Sequence, residues 1–152
     1  MERLVHQRIS PSLPHASHQH GFKPLHSTTT YLTNLTQTIA EGFNHKPPMR
    51  SALVTIDISK AFDTIPRHKL MNKILDLPLP PNDTRWLNNF ISRRQAQVLL
   101  RNSKSSIRNF PNGVPQGAVL SPSLFNLFFN DLPTPSSPTN VLSYADDLSI
   151  LS

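Results

Sequence analysis

Cysteine is absent from the 152 residues, which excludes disulfide scaffolds, thiolate zinc sites and cysteine nucleophiles. Glycine is scarce at 4 residues, whereas proline reaches 15. Proline fixes φ and removes a backbone donor, so short elements joined by ordered turns are expected, rather than a bundle of long helices. No apolar run approaches the ~20 residues needed to cross a membrane. The opening MERLVHQRISPSLPHASHQH has no apolar signal core. By default these absences point to an intracellular soluble chain with no membrane partner. Charged residues make up only 16% and apolar ones 37%. That excludes a strongly charged disordered chain and leaves enough apolar surface for one domain or part of one.

Charge is unevenly placed. The net charge is +6, and ten basic residues fall between Lys60 and Arg108: Lys60, Arg67, Lys69, Lys73, Arg85, Arg93, Arg94, Arg101, Lys104 and Arg108. No Lys or Arg follows Arg108, where the acids are Asp131, Asp146 and Asp147. A basic middle suits a polyanion such as nucleic acid, although a solvated surface has the same composition. A carboxylate pair in an apolar tail points instead to a metal site.

Residues 1–20 show no period and read as a loose leader; the nearby His15, His18 and His20 lack the carboxylate or cysteine company of a metal site. Tyr31, Leu32, Leu35, Ile39 and Phe43 recur at helical spacing, with Ser27 or Thr28 as N-cap and Gly42 near the C-cap. Tandem prolines make 44–50 a loop. The run SALVTID reads as a strand buried on both faces, ending at Asp57. Pro66 opens a helix over 67–77 with Arg67, Lys69 and Lys73 off its apolar stripe. Asn82 or Asp83 caps another, carrying Trp86, Leu87, Phe90 and Ile91. Residues 95–101 and 105–110 form a hairpin turning near 102–104. Ser121 as cap and Pro122 at the first position start an apolar helix. Residues 133–138 are a loop, and 141–144 and 148–151 are strands flanking Ala145, Asp146 and Asp147.

Adjacent carboxylates on a tight turn between apolar strands repel, and burial penalises their ionised form. A divalent cation removes both problems. Magnesium accepts one or two protein carboxylates, keeps water and takes substrate phosphates. A third carboxylate at a strand end, Asp57, completes the protein part of a two-ion clamp for phosphoryl transfer. Taken alone, each piece is ordinary turn or cap chemistry.

Together, three stretches resemble the reverse transcriptases, most closely those of non-LTR (LINE-type) retrotransposons: ALVTIDISKAFDTI, NGVPQGAVLSPSLFNLFFNDL and SYADDLSI. Upstream, Gln19, Gly21, Phe22, Ser27 and Thr28 resemble the family's QxGF…ST segment. The resemblance covers 19–152, nearly the whole chain. It implies an α+β polymerase palm, an antiparallel sheet backed by helices near 67–77 and 121–132. On this reading 1–20 is leader, 21–50 part of the fingers and 51–152 palm ending just after YADD, with the thumb absent. Asp57 and Asp146 would hold two Mg2+ ions (Mn2+ able to substitute), with Asp147 and the Ile58 carbonyl supporting. Phe62 would be the steric gate against a ribose 2′-OH. Backbone amides of Lys60, Ala61 and Phe62 would meet the triphosphate, Gln116 and Gly117 would shape the nucleotide pocket, and Tyr144 would lie beside the primer terminus. Partners would be an RNA template, a DNA primer and dNTPs.

Viral RNA-dependent RNA polymerases share the aspartate pair but usually carry glycine before it and no bulky gate. Ala145 and Phe62 favour DNA synthesis. Telomerase and group II intron proteins remain compatible. An inactive retroelement remnant, or a basic nucleic-acid-binding fragment without catalysis, is the non-enzymatic alternative.

Overall fold

The computed structural model describes residues 1–47, 49–133, 135 and 139–152. Pro48, and Thr134 and Ser136 to Pro138 of the two loops expected around them, lie outside the described residues. The chain is α+β, with six helices and seven short strands among the described residues, and every pairing between named strands is antiparallel. It divides into two compact units: Met1–Leu13 with Lys60–Phe128, and Pro14–Ser59 with Phe129–Ser152.

The first unit is mainly helical. Its elements are α1 (Glu2–Ile9), α3 (Ala61–Thr64), α4 (Arg67–Leu75), α5 (Pro81–Ile91) and α6 (Ser121–Phe129). The second unit contains α2 (Thr28–Asn44). Helix α1 corrects the loose leader expected over 1–20. Val5 and Ile9, four apart, share one helical face and are buried. Three polar contacts dock the helix: Arg8 with Asp83 at 3.1 Å, His6 Nε2 with Ser123 Oγ at 2.9 Å, and Val119 N–H donating to Glu2 Oε2 at 2.8 Å. Asp83 is therefore a buried partner of Arg8 rather than a cap, and α5 begins at Pro81. Ile65, Leu70, Ile74, Leu87, Ile91, Leu124 and Phe125 form the core of this unit, each at most 2% exposed.

Ser121 begins α6, as its position before Pro122 predicts, and its hydroxyl donates to the Pro115 carbonyl. Lys73, expected off the packed face of α4, turns to the other end of α6. Its Nζ donates to Phe128 O at 2.6 Å, where a cation offsets the carbonyl-rich helix terminus. The hairpin is split. Strand β2 (Arg94–Ala96) pairs with β5 (Arg108–Phe110), and β3 (Leu99–Leu100) with β4 (Ser103–Lys104). Leu100 opposite Ser103 makes a two-residue turn of Arg101 and Asn102, with Arg101 at φ +52°.

The second unit is a three-stranded sheet covered by α2. Its order is β1 (Leu53–Asp57), β7 (Asp147–Leu151), β6 (Asn140–Tyr144). Ser27 caps α2 in a reciprocal box with Thr30. Of the expected stripe, Leu35 is buried against Leu142 and Leu151, with Tyr31 and Ile39 beside them, while Leu32 and Phe43 stay exposed. Gly42 lies inside the helix, which runs on to Asn44. Tyr31 Oη and Ser149 Oγ share a hydrogen bond of 2.6 Å. The outer edge of β6 is closed by the segment around Gln19. Ser143 N–H donates to His18 O at 2.7 Å, and His20 N–H donates to Ser143 O at 2.8 Å.

β1 is not buried on both faces as its apolar run suggests. It is an edge strand with every residue exposed. An apolar run reports what a strand can bury, and an edge strand of a small sheet has a neighbour on one side only.

His18 and His20 are buried, and among the described residues His18 Nε2 and His20 Nδ1 have no hydrogen-bond partner. Burial lowers both imidazoles below the usual histidine value; His26 and Lys23 reinforce this at His20, and Lys23 at His18 against a hydrogen bond that the His18 ring donates to the Phe129 backbone carbonyl. Below pH ~6.5 the unfolded chain then binds more protons than the folded one. Stability is expected to be full above that pH and to fall as pH drops toward the folded-state values. Denaturant melts between pH 7.5 and 5 check this; a midpoint that falls no further in the wild type than in His20→Gln over that range contradicts it.

Candidate active site

The acidic part of the site lies wholly in the second unit. Antiparallel register sets Asp57 opposite Asp147, and Tyr144 opposite Asp147. Directly opposed residues share a sheet face, with Cα atoms about 4.5–5.5 Å apart. By strand alternation that face also carries Thr55, Ser149, Leu142 and Leu151, so the two aspartates and Tyr144 sit at one end of the α2-covered face. Asp146 occupies the second position of the two-residue loop joining β6 to β7, after Ala145 at φ +56°. Ile58 directly follows β1.

Asp57 and Asp147 are exposed and Asp146 is half-buried, so solvent or a ligand, not an apolar core, surrounds these carboxylates. Like charges directly opposite one another destabilise a ladder, and an inserted cation reverses that cost. Among the described residues no group of three or more His, Cys, Asp or Glu side chains is arranged to hold a metal ion. Two paired carboxylates nonetheless suit magnesium, which takes few protein ligands and completes its shell with water and substrate phosphate oxygens.

The residues expected on the nucleotide side lie in the first unit. Lys60 precedes α3 with φ +52°. Ala61 is buried, and the Phe62 ring stacks on buried Phe125 with centroids 4.5 Å apart and planes at 14°. Four hydrogen bonds tie this segment to the loop of NGVPQG. Val114 N–H donates to Phe62 O at 2.8 Å, Gly113 N–H donates to Ile65 O at 2.8 Å, and Gln116 Nε2 donates to both Asp63 carboxylate oxygens at 3.0 Å. Gly117 follows at φ +80° with open space where a Cβ would be. The structure thus gathers Lys60, Ala61, Phe62, Gln116 and Gly117 in one unit, and Asp57, Ile58, Tyr144, Asp146 and Asp147 in the other.

Two partnerships escaped the sequence reading, although both residues lie in its motifs. Asp63 is one, the acceptor for Gln116. The other is Gln19, 4% exposed, whose amide bonds both sides of Ala145: Ala145 N–H donates to Oε1 at 2.9 Å, and Nε2 donates to Ala145 O at 3.0 Å. Gln19 was visible only as part of a motif.

Seven of the ten central basic residues are exposed: Lys60, Lys69, Arg85, Arg93, Arg101, Lys104 and Arg108. Arg67, Asn88, Asn89, Ser92 and Arg93 line a cavity of about 450 Å³ in the first unit, with no carboxylate in its lining. Arg67 Nε is buried and has no hydrogen-bond partner among the described residues. Nearby, burial and the Arg67 charge lower the pKa of Arg94, whose Nη1 donates to Gly113 O at 3.1 Å.

Strand-paired acidic residues, a QxGF segment bonded to their hairpin, and a PQG loop bonded to the AFD segment are the local features on which the polymerase resemblance rests. The chain belongs to the reverse transcriptase (RNA-dependent DNA polymerase) family, whose model matches residues 1–152. It is 35% identical to the "Probable RNA-directed DNA polymerase from transposon BS" of Drosophila melanogaster, over 99% of this chain and 17% of that protein. It is 32% identical to the "RNA-directed DNA polymerase from mobile element jockey" of the same species, with the same coverage of each. The chain thus spans about 17% of the length of these relatives.

Proposed function

We propose that this chain forms part of the catalytic region of an RNA-directed DNA polymerase, with 51–152 as palm and 21–50 as part of the fingers. The primer 3′-hydroxyl attacks the α-phosphate of a dNTP opposite an RNA template, forming a phosphodiester and releasing pyrophosphate. The observation that carries this reading is the register of Asp57 with Asp147 beside the loop bearing Asp146, which sets aspartates of the first and last motifs at one sheet end.

Asp57 and Asp146, with Asp147 and the Ile58 carbonyl, would hold Mg2+. Bound there, the ions supply Lewis-acid activation of the attacking oxygen and charge neutralisation at the leaving one. The protein contributes position. Phe62, braced on Phe125, excludes a 2′-hydroxyl by bulk. Gln116, braced on Asp63, and Gly117 shape the nucleotide pocket. The amides of Lys60, Ala61 and Phe62 face the triphosphate, and Tyr144 orients the primer end. The names of the relatives, RNA-directed DNA polymerases, support an RNA template here.

Primer extension on a primed RNA with dNTPs and Mg2+ tests the reading, wild type against Asp146→Ala, in this chain and in a chain extended to its relatives' length. Extension abolished by Asp146→Ala upholds it. Oligonucleotide binding without extension in either length favours the non-catalytic alternative.

Binding itself is expected to be mostly phosphate electrostatics. Arg93→Gln removes a cation from the carboxylate-free cavity. It should weaken binding of a single-stranded 12-mer about equally for all sequences and flatten the slope of log K against log[salt] by about 0.7–1. An unchanged slope would place the nucleic acid elsewhere.

A further inference from the structure

We propose that Gln19 is the positioning residue of the aspartate-bearing hairpin, holding Ala145 left-handed so that Asp146 is presented to the metal; this rests on the metal-site reading above. Ala145 has φ +56°, a region that L-residues other than Asn and Asp seldom occupy because Cβ crowds the following carbonyl. The two-residue loop between Tyr144 and Asp147 requires it there. Something must therefore over-determine that conformation.

One side chain does so. Gln19 Oε1 accepts from Ala145 N–H at 2.9 Å and from Gly21 N–H at 2.7 Å. Its Nε2 donates to Ala145 O at 3.0 Å. That carbonyl belongs to the peptide joining Ala145 to Asp146, so its orientation sets the direction in which Asp146 leaves the turn. Only a primary amide offers an acceptor and a donor at this reach.

The clamp is itself fixed. His18 and His20 bond the Ser143 backbone on either side of Gln19. Gly21 lets the chain close over the turn: a Cβ there would lie 2.2 Å from Ala145 N. The glutamine and glycine of QxGF thus have separate jobs on one turn, gripping it and approaching it.

The test uses the whole chain, with two readouts: amide exchange at Ala145 by NMR, and Mn2+ affinity by EPR. Gln19→Leu should speed Ala145 exchange at least about tenfold and weaken Mn2+ by about 10–100-fold, the usual effect of losing an outer-shell partner. Gln19→Glu, which keeps the acceptor and loses the donor, should fall between. The deciding arm is Gln19→Leu combined with Ala145→Gly. Glycine adopts positive φ unaided, so Mn2+ affinity should return to within about threefold of wild type. A residue that merely anchored 14–22 would gain nothing from glycine at 145, so no recovery overturns the proposal. Equal Ala145 exchange in wild type and both single Gln19 variants also overturns it. If Asp57→Asn and wild type bind Mn2+ alike, the metal-site reading fails, and the exchange data still decide whether Gln19 holds the turn.

Discussion

Asp57→Asn is expected to abolish nucleotide addition while leaving the fold at least as stable. The two effects have one cause. Asp57 stands opposite Asp147 in the β1–β7 register, so two carboxylates of like charge face each other at the end of an antiparallel ladder. Without a cation, removing one relieves a repulsion of a few tenths of a kcal/mol. With a cation, the same substitution removes a hard anionic ligand where charge develops. A loss of about 4 kcal/mol in transition-state stabilisation lowers the rate about a thousandfold. Asparagine is nearly isosteric and the residue is exposed, so packing does not confound the result. Denaturant melts in EDTA and single-nucleotide incorporation in Mg2+ would be measured on the same preparation. Lost incorporation together with a lost fold would point to a structural aspartate. Preserved incorporation would remove Asp57 from the site.

Much of that site was legible because its signals are local. β6 and β7 stand out as two apolar runs around a turn, and the observed strands Asn140–Tyr144 and Asp147–Leu151 match them within a few residues. Ser27 reads as a cap from its place before a helical stripe, and it is one. Long-range partners were not legible. Gln19 meets Ala145 across 126 positions, and nothing in a run of His, Ser and Pro announces that reach. Asp83 reads as a cap because aspartate usually serves as one there. Its actual partner, Arg8, comes from a segment whose prolines and histidines hid the Val5–Ile9 helical pair. The exposure of β1 was illegible for another reason. Leu53, Val54 and Ile56 are each more than 40% exposed, and a sequence run states only hydrophobicity, not what arrives to cover it.

Gly113→Ala is expected to cost clearly more stability than Gly117→Ala. Gly113 has φ +79°, and a Cβ there would lie 2.7 Å from Asp63 Cα, Asp63 O and Phe62 O. All three are backbone atoms, so no side-chain rotation makes room. Left-handed strain costs an alanine about 1–2 kcal/mol. Retreat of the loop breaks Gly113 N–H to Ile65 O and Val114 N–H to Phe62 O, about 1 kcal/mol each when the groups are buried. Together about 3–4 kcal/mol of stability is lost. Gly117→Ala supplies the control. Its φ is +80° but nothing lies within 4 Å of the new methyl, so only the strain of about 1–2 kcal/mol applies. Urea melts of the two variants separate backbone contact from backbone strain. Equal losses would mean that the NGVPQG loop yields freely to the AFD segment. An excess in Gly113→Ala would mean that the two are locked together. Since Gln116 reaches Asp63 across that same lock, Gly113→Ala would then also impair discrimination of dNTP from rNTP through Phe62 and Gln116, whereas Gly117→Ala would leave the Gln116–Asp63 bond in place.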